Sequence, residues 1–323
     1  MRAVIASQSG GPEVLEAVDR SAPVPGEGQV LLDVAAAGVN RADVQQRKGV
    51  YPPPAGESDV LGLEVSGRVA SAPGNSGLRE GEEAVALLAS GGYAEQVAVD
   101  EGLVLPVPAG VSLEDAAGLP EVAATVYSNL VLEAGLKAGD RLLVHGGSGG
   151  IGSFAIQFAA ALGARVVATV SSEEKAEHCR RLGAEAAIDY RTEDFAERIG
   201  ELMGGADVIL DVVGAAYLEK NVEALATGGR LVVIGLQKGS RGELNLGLLM
   251  GKRARVIGTT LRARPLEEKR QIMAGVRETV WPLVEEGRIR VTTDRVFPLD
   301  EASEAHAYFD SGRHRGKVLL RVR

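Results

Sequence analysis

The chain has 323 residues, 45% of them hydrophobic, with 35 Lys and Arg against 44 Asp and Glu for a net charge of −9. That length suits about two domains with sizeable cores, and the acidic balance argues against a general nucleic-acid binder, whose footprint is a basic field. The single cysteine, Cys179, excludes intrachain disulfides and tetracysteine zinc sites. With neither an apolar signal core nor a run long enough to span a bilayer, the cytoplasm is the expected location.

Residues 1–120 read as β-rich. Short strand-like runs occur at 3–6, 29–34, 65–70, 83–87 and 93–99, separated by Pro and Gly clusters such as residues 23–28. From about residue 121 strands alternate with helices. Apolar runs at 142–145, 164–170, 186–190, 208–213, 230–235 and 255–260 are interleaved with helical stretches such as 172–182 and 217–226. Continuous apolar strands in this rhythm predict a doubly wound parallel sheet, a six-stranded Rossmann unit whose ligands lie at the carboxyl ends of the strands. A helix over 265–286, a strand at 295–299, an Ala-rich helix and a strand at 317–322 finish the chain. The last strand resembles those of the first domain, so the expected division is 1–120 plus 265–323, with 121–264 inserted as the nucleotide-binding domain.

Within that insert, Gly147-x-Gly149-x-x-Gly152 follows the strand at 142–145 and opens a helix from Ser153. A tight strand-to-helix turn of this kind lets bare backbone reach a pyrophosphate, whose charge rests on the free N–H groups of the helix start. Gly147, Ser148, Gly149, Gly150, Ile151 and Gly152 are therefore expected to cradle the cofactor. At the end of the next strand, where an NAD site expects a carboxylate, stand Ser171 and Ser172, with Lys175 beyond. Hydroxyls and a cation suit a 2′-phosphate, so NADPH is expected over NADH. Glu173 and Glu174 sit in a first helical turn, where acids are favoured in any case.

Specific resemblance begins at Ala36-Ala37-Gly38-Val39-Asn40-Arg41-Ala42-Asp43 and continues through Tyr51-Pro52-Pro53-Pro54 and Gly62-Leu63-Glu64-Val65-Ser66-Gly67. With the glycine turn and the ending Arg315-Gly316-Lys317-Val318, the chain resembles the medium-chain dehydrogenase/reductase superfamily. Within it, the sequence is similar to the zinc-free NADPH:quinone oxidoreductases near zeta-crystallin. The resemblance implies a GroES-like β-rich substrate domain with the Rossmann domain inserted, a cleft between them, and dimers or tetramers. The edge-like run 255–261 makes a homodimer the expectation.

Zinc enzymes of the superfamily carry Gly-His-Glu, with the histidine on catalytic zinc, and a cysteine near the position of Asn40. Here Leu63 stands for that histidine, the structural cysteines are missing, and His145, His178, His306 and His314 show no metal spacing. No metal is expected, which disfavours alcohol oxidation and leaves an electron-poor acceptor.

The resemblance places Asn40 and Tyr51 at the nicotinamide as both catalytic and cofactor-binding residues. Local readings remain open beside these roles: an αL turn for Asn40, and packing on a proline turn for Tyr51. Thr125 is implied near the nicotinamide and Tyr190 at the adenosine end, with Gly214, Gly235, Leu236 and Leu261 at strand ends. Glu64 is expected to pair an arginine, and Arg262 to face either the cofactor or a subunit interface. The leading expectation is an NADPH-dependent quinone reductase acting on a small molecule. A reductase of α,β-unsaturated carbonyls or enoyl thioesters and a non-catalytic NADPH-binding protein are the alternatives.

Overall fold

The Pro- and Gly-punctuated segment forms β1 (Arg2–Ala6), β2 (Leu15–Asp19), β3 (Gln29–Val39), β4 (Glu64–Ser71), β5 (Glu83–Leu87), β6 (Gln96–Asp100) and β7 (Val104–Pro106). The alternating segment supplies β8 (Arg141–Val144), β9 (Arg165–Val170), β10 (Ala186–Asp189), β11 (Ala206–Asp211), β12 (Leu225–Val233) and β13 (Arg255–Gly258), and the chain closes with β14 (Thr293–Pro298) and β15 (Lys317–Arg321). These come from a computed structural model that describes residues 1–323 except Asn75. One compact unit comprises Met1–Ala124, Leu261–Glu285 and Val291–Arg323, and the other Thr125–Thr260 with Glu286–Arg290.

In the first unit β3 is long enough to serve several partners. It pairs antiparallel with β4, β6 and β15, its register shifting between Leu31 and Leu32 and between Val34 and Ala36. Such shifts bend a strand and let it serve different neighbours along its length. The sheet runs β14-β15-β3-β4-β5-β7, with β6 on β3. The pairing of Val318 with Val39 carries Lys317 to the neighbourhood of Asn40, 277 residues away in sequence.

The second unit holds a fully parallel sheet in the order β10-β9-β8-β11-β12-β13. Its central strands are buried almost throughout, as expected of a sheet covered on both faces. Strand order reverses between β8 and β11, and such a switch point opens a crevice at the carboxyl ends.

The structure departs from the sequence reading in several places. The helix expected over 265–286 is two helices, Leu266–Thr279 and Trp281–Glu285. Pro282 has no N–H to give the carbonyl four residues back, so the first helix ends before it. Residues 286–290, expected in the tail, belong to the nucleotide unit. The amide of Gln157 bonds both backbone groups of Arg290, at 3.1 and 2.9 Å, and Arg288 donates to the carbonyl of Ala161. β2 and β7 are too short or too polar to stand out in the sequence. The run at 93–99 forms a strand only from Gln96.

Candidate functional site

The glycine turn obeys two different constraints. A Cβ on Gly147 would lie 2.6 Å from that of Ala168 and 2.9 Å from Cys179 Sγ, and one on Gly152 would lie 2.3 Å from the Gly146 carbonyl oxygen. Packing therefore demands glycine at both. Gly149, the N-cap of helix Gly150–Ala161, is different, because its Cβ would meet nothing nearer than 3.6 Å. Its bareness leaves open space at a helix start, where an anion is favoured by the exposed N–H groups and the helix dipole. Ser148 is buried, and Gly150 and Ile151 are half-buried. Burial raises the Cys179 thiol to about 12, so it serves as packing behind the turn.

Ser171 and Ser172 follow β9, and Ser172 caps helix Glu173–Arg181 by accepting from the Lys175 N–H at 3.3 Å. Glu173 is exposed and drawn to Arg180 at 2.6 Å. Tyr190, 37% exposed, stands just beyond β10 beneath the Lys238 ammonium at 5.5 Å, and Tyr217 lies 5.9 Å from the same cation. Lys238 was missed, because nothing in the local sequence marks a lysine five residues past a strand end. Gly214 has φ 84°, and a Cβ there would meet the Gly239 carbonyl oxygen at 2.7 Å; at Gly235 it would meet that of Val212 at 2.8 Å. Leu236 is exposed. Thr125 is buried, its carbonyl accepting from Ser128 Oγ and Asn129 Nδ2. The second unit thus collects the predicted positions 147–152, 171, 172, 190, 214 and 235 beyond the carboxyl ends of its strands, whereas Leu261 is buried within the first unit.

The first unit gathers charged groups. Asn40 is the N-cap of helix Arg41–Arg47 with φ −124° and ψ 158°, extended backbone that removes the αL reading. Its N–H donates to Asp43 Oδ2 at 2.8 Å, and Gly62 N–H reaches Asp43 Oδ1 at 3.0 Å. The amide is committed at both ends, Nδ2 to Glu64 Oε1 at 2.9 Å and Oδ1 to the Lys317 ammonium at 2.8 Å. Lys317 also reaches Glu64 Oε1 at 2.5 Å, and Glu64 Oε2 accepts from the Glu121 N–H at 2.9 Å. Glu64 therefore pairs a lysine, correcting the expected arginine. A Cβ on Gly38 would fall 2.2 Å from Glu64 Oε1, so this carboxylate can enter only beside a glycine.

Burial, reinforced by the Glu64 charge, raises Glu121 to about 8, and burial raises Asp43 to about 7 against the pull of its two N–H donors. Arg262 is engaged within the β-rich unit. Its guanidinium donates to the carbonyls of Ala89 at 2.6 Å and Tyr51 at 3.2 Å and to Gln46 Oε1 at 2.6 Å, and lies 5.4 Å from the Tyr51 ring centre. It fixes Tyr51 from behind, where the sequence suggested only a proline turn. The histidines are engaged separately: His145 with Asn221, His178 with Ser153, His306 with Tyr93 and Arg47, and His314 stacked on Phe309.

The chain matches two family models, the alcohol dehydrogenase GroES-like domain over residues 26–109 and the zinc-binding dehydrogenase over 150–276. It is 33% identical to quinone oxidoreductase 1 of Escherichia coli (strain K12), covering 96% of each chain. Among solved structures it is similar to Escherichia coli quinone oxidoreductase complexed with NADPH, at 31% identity, full coverage of both chains and a TM-score of 0.90. An NAD-dependent alcohol dehydrogenase is also similar, at 33% identity, full coverage of both and a TM-score of 0.88. A GroES-like sheet, a parallel Rossmann sheet with its glycine turn, and likeness along the whole chain lead to one conclusion: the chain belongs to the quinone oxidoreductases of the medium-chain dehydrogenase/reductase superfamily.

Proposed function

We propose that the protein is an NADPH-dependent quinone oxidoreductase that works without zinc. One observation carries the choice against a zinc alcohol dehydrogenase: the Lys317 ammonium stands 2.5 Å from Glu64 and 2.8 Å from Asn40. These are the positions where the zinc enzymes hold their metal, and Leu63, in place of the histidine, is apolar and buried. An amide already bonded to a cation, a hydrocarbon and a paired carboxylate do not make a zinc donor set. Without a Lewis acid the plausible acceptor is already electron-poor.

When bound, reduced nicotinamide supplies the hydride. In this reading the turn from Gly147 to Gly152 takes the pyrophosphate, while Ser171, Ser172 and Lys175 take the 2′-phosphate. Tyr190 flanks the adenosine, and Thr125, Gly214, Gly235, Leu236 and Leu261 complete the cofactor surface. Tyr51, held by Arg262, donates its phenolic hydrogen to the acceptor oxygen as charge develops there. Asn40 keeps one unshared lone pair on Oδ1, enough to orient an amide N–H of the nicotinamide. A homodimer through the β13 edge is supported by the exposed Leu246, Met250 and Val256 on and beside that edge. A cytoplasmic location accords with the lack, among the described residues, of a helix long and apolar enough to cross a membrane.

The test follows the loss of NADPH absorbance with 1,2-naphthoquinone, 1,4-benzoquinone and crotonyl-CoA, each repeated with NADH. Quinone turnover that prefers NADPH supports the reading. Preference for crotonyl-CoA moves the protein to the enoyl reductases, and equal use of NADH overturns the cofactor assignment. A Tyr51→Phe variant should lose about a hundredfold to a thousandfold in kcat with NADPH affinity kept, as loss of one donor to a developing oxyanion implies.

A further inference from the structure

Beneath the carboxyl ends of β8, β9 and β11 runs a buried polar chain that the hydride chemistry does not use. Thr169 Oγ1 receives the Gly146 N–H at 3.3 Å and faces His145 Nδ1 at 3.0 Å. Asn221 turns its Nδ2 to the Asp211 carboxylate and so offers only the acceptor Oδ1 to the ring; the ring hydrogen therefore sits on Nε2, and the Thr169 hydroxyl donates to Nδ1. Nε2 then donates to Asn221 Oδ1 at 2.7 Å, and Asn221 Nδ2 donates to Asp211 Oδ2 at 3.2 Å. Asp211 in turn receives the N–H groups of Val213 at 2.6 Å and Gly214 at 3.1 Å. His145, Thr169, Asp211 and Asn221 are each at most 1% exposed. Phe195 and Tyr217 meet the imidazole edge-on at 4.8 and 4.9 Å. Burial lowers the imidazole to about 4, so the ring is neutral and the direction of every bond is fixed.

The two ends of this chain are backbone groups of different loops. One is Gly146, which with φ 69° opens the glycine turn. The other is the pair Val213 and Gly214, in the loop just after β11, the strand across the switch point from β8. An apolar core would fill the same volume, but only a satisfied polar chain ties one loop to the other at a set spacing.

We propose that His145, Thr169, Asn221 and Asp211 are positioning residues for NADPH: they hold the glycine turn and the 212–214 loop at the separation the bound cofactor requires. This rests on the cofactor reading above, so direct NADPH binding to the wild-type holoprotein is measured first, by fluorescence titration. No binding there sinks the cofactor reading itself. Thr169→Val keeps shape and removes the hydroxyl, while Thr169→Ser keeps the hydroxyl. The valine variant should raise both the Kd and the KM for NADPH by about tenfold, the affinity equivalent of one buried hydrogen bond, with kcat at saturating NADPH within about twofold. The serine variant should restore wild-type affinity. Should the valine variant fail to fold, His145→Gln keeps a donor toward Asn221 and drops Thr169, and the same rise in Kd is expected. Wild-type NADPH affinity in folded Thr169→Val or His145→Gln overturns the proposal, as does a serine variant as weak as the valine one.

Discussion

The two units build their polar centres from opposite materials. In the nucleotide unit the glycine turn presents backbone, and the side chains behind it, from His145 to Asp211, form a chain directed by a neutral imidazole. In the β-rich unit the centre is a charged pair, Lys317 on Glu64, with Asn40 between two elements and Glu121 bonded through its backbone. Backbone sites are local: the turn lies within six consecutive residues. Charged side-chain sites are assembled by pairing, here by the β15–β3 register that joins residues 317 and 40. The first tolerates dielectric change and is intolerant of a Cβ; the second tolerates shape change poorly and charge change worse.

That contrast gives the largest expected effect. Lys317→Met leaves Glu64, fully buried, without its cation. Removing one partner of a buried pair destabilises by about 3–5 kcal/mol. Urea unfolding should show this loss, and adding Glu64→Gln should recover most of it by removing the orphaned charge. Thr169→Val, which cuts a neutral chain, should lose only about 1–3 kcal/mol. If the two variants unfold at the same urea concentration, the difference between the centres is not one of charge.

Titration sharpens the same comparison. A carboxyl whose folded value is raised stabilises the fold fully below its ordinary value, and that contribution is lost as pH rises through the raised one. For Glu121 the window runs from the ordinary 4.5 to about 8, for Asp43 from 3.8 to about 7, and for Asp211 in the nucleotide unit only from 3.8 to about 6. Stability should therefore fall between pH 6 and 8 chiefly through the β-rich unit. Glu121→Gln should flatten the unfolding free energy between about pH 7 and 8 and make the decline below pH 7 shallower, where Asp43 and Asp211 still titrate. An unchanged slope in this variant would place the titrating group elsewhere.

The legibility of the chain follows the same divide. The strand at 142–145, the glycines at 147, 149 and 152 and the strand-helix rhythm are periodic or contiguous, so the parallel sheet and its turn were readable directly. The return of the tail is also readable, because the strand-like run at 317–322 resembles the strands of the first domain more than those of the Rossmann unit. Lys317 enters the sequence reading only through the resemblance, and an arginine rather than Lys317 is expected beside Glu64, because no local pattern reports a bond across 253 residues. The contacts of Arg262 are hidden from a local reading for the same reason. Its three acceptors at residues 46, 51 and 89 come together only after β3, β4 and β5 have paired. His145 was weighed only as a metal ligand, although its place between a strand end and a glycine turn was the available signal of a buried polar link.

The smallest expected effect tests whether the cofactor end of the nucleotide unit has its own side-chain component. Ser172 accepts the Lys175 N–H as a helix cap and keeps its hydroxyl hydrogen to donate, and Lys175 and the Lys238 ammonium above Tyr190 add positive charge at this end of the unit. Both stand near solvent, where a charge-assisted contact is screened by salt and is worth on the order of 1 kcal/mol. Lys175→Met should raise the KM for NADPH by about fivefold to tenfold at low ionic strength, leave the KM for NADH unchanged, and lose much of the difference at high salt. Lys238→Met should do the same more weakly if its cation reaches the phosphate, and should raise both constants equally if it covers the adenine ring. A Lys175 variant that weakens NADH as much as NADPH would show that this end of the site, too, is read by backbone and shape.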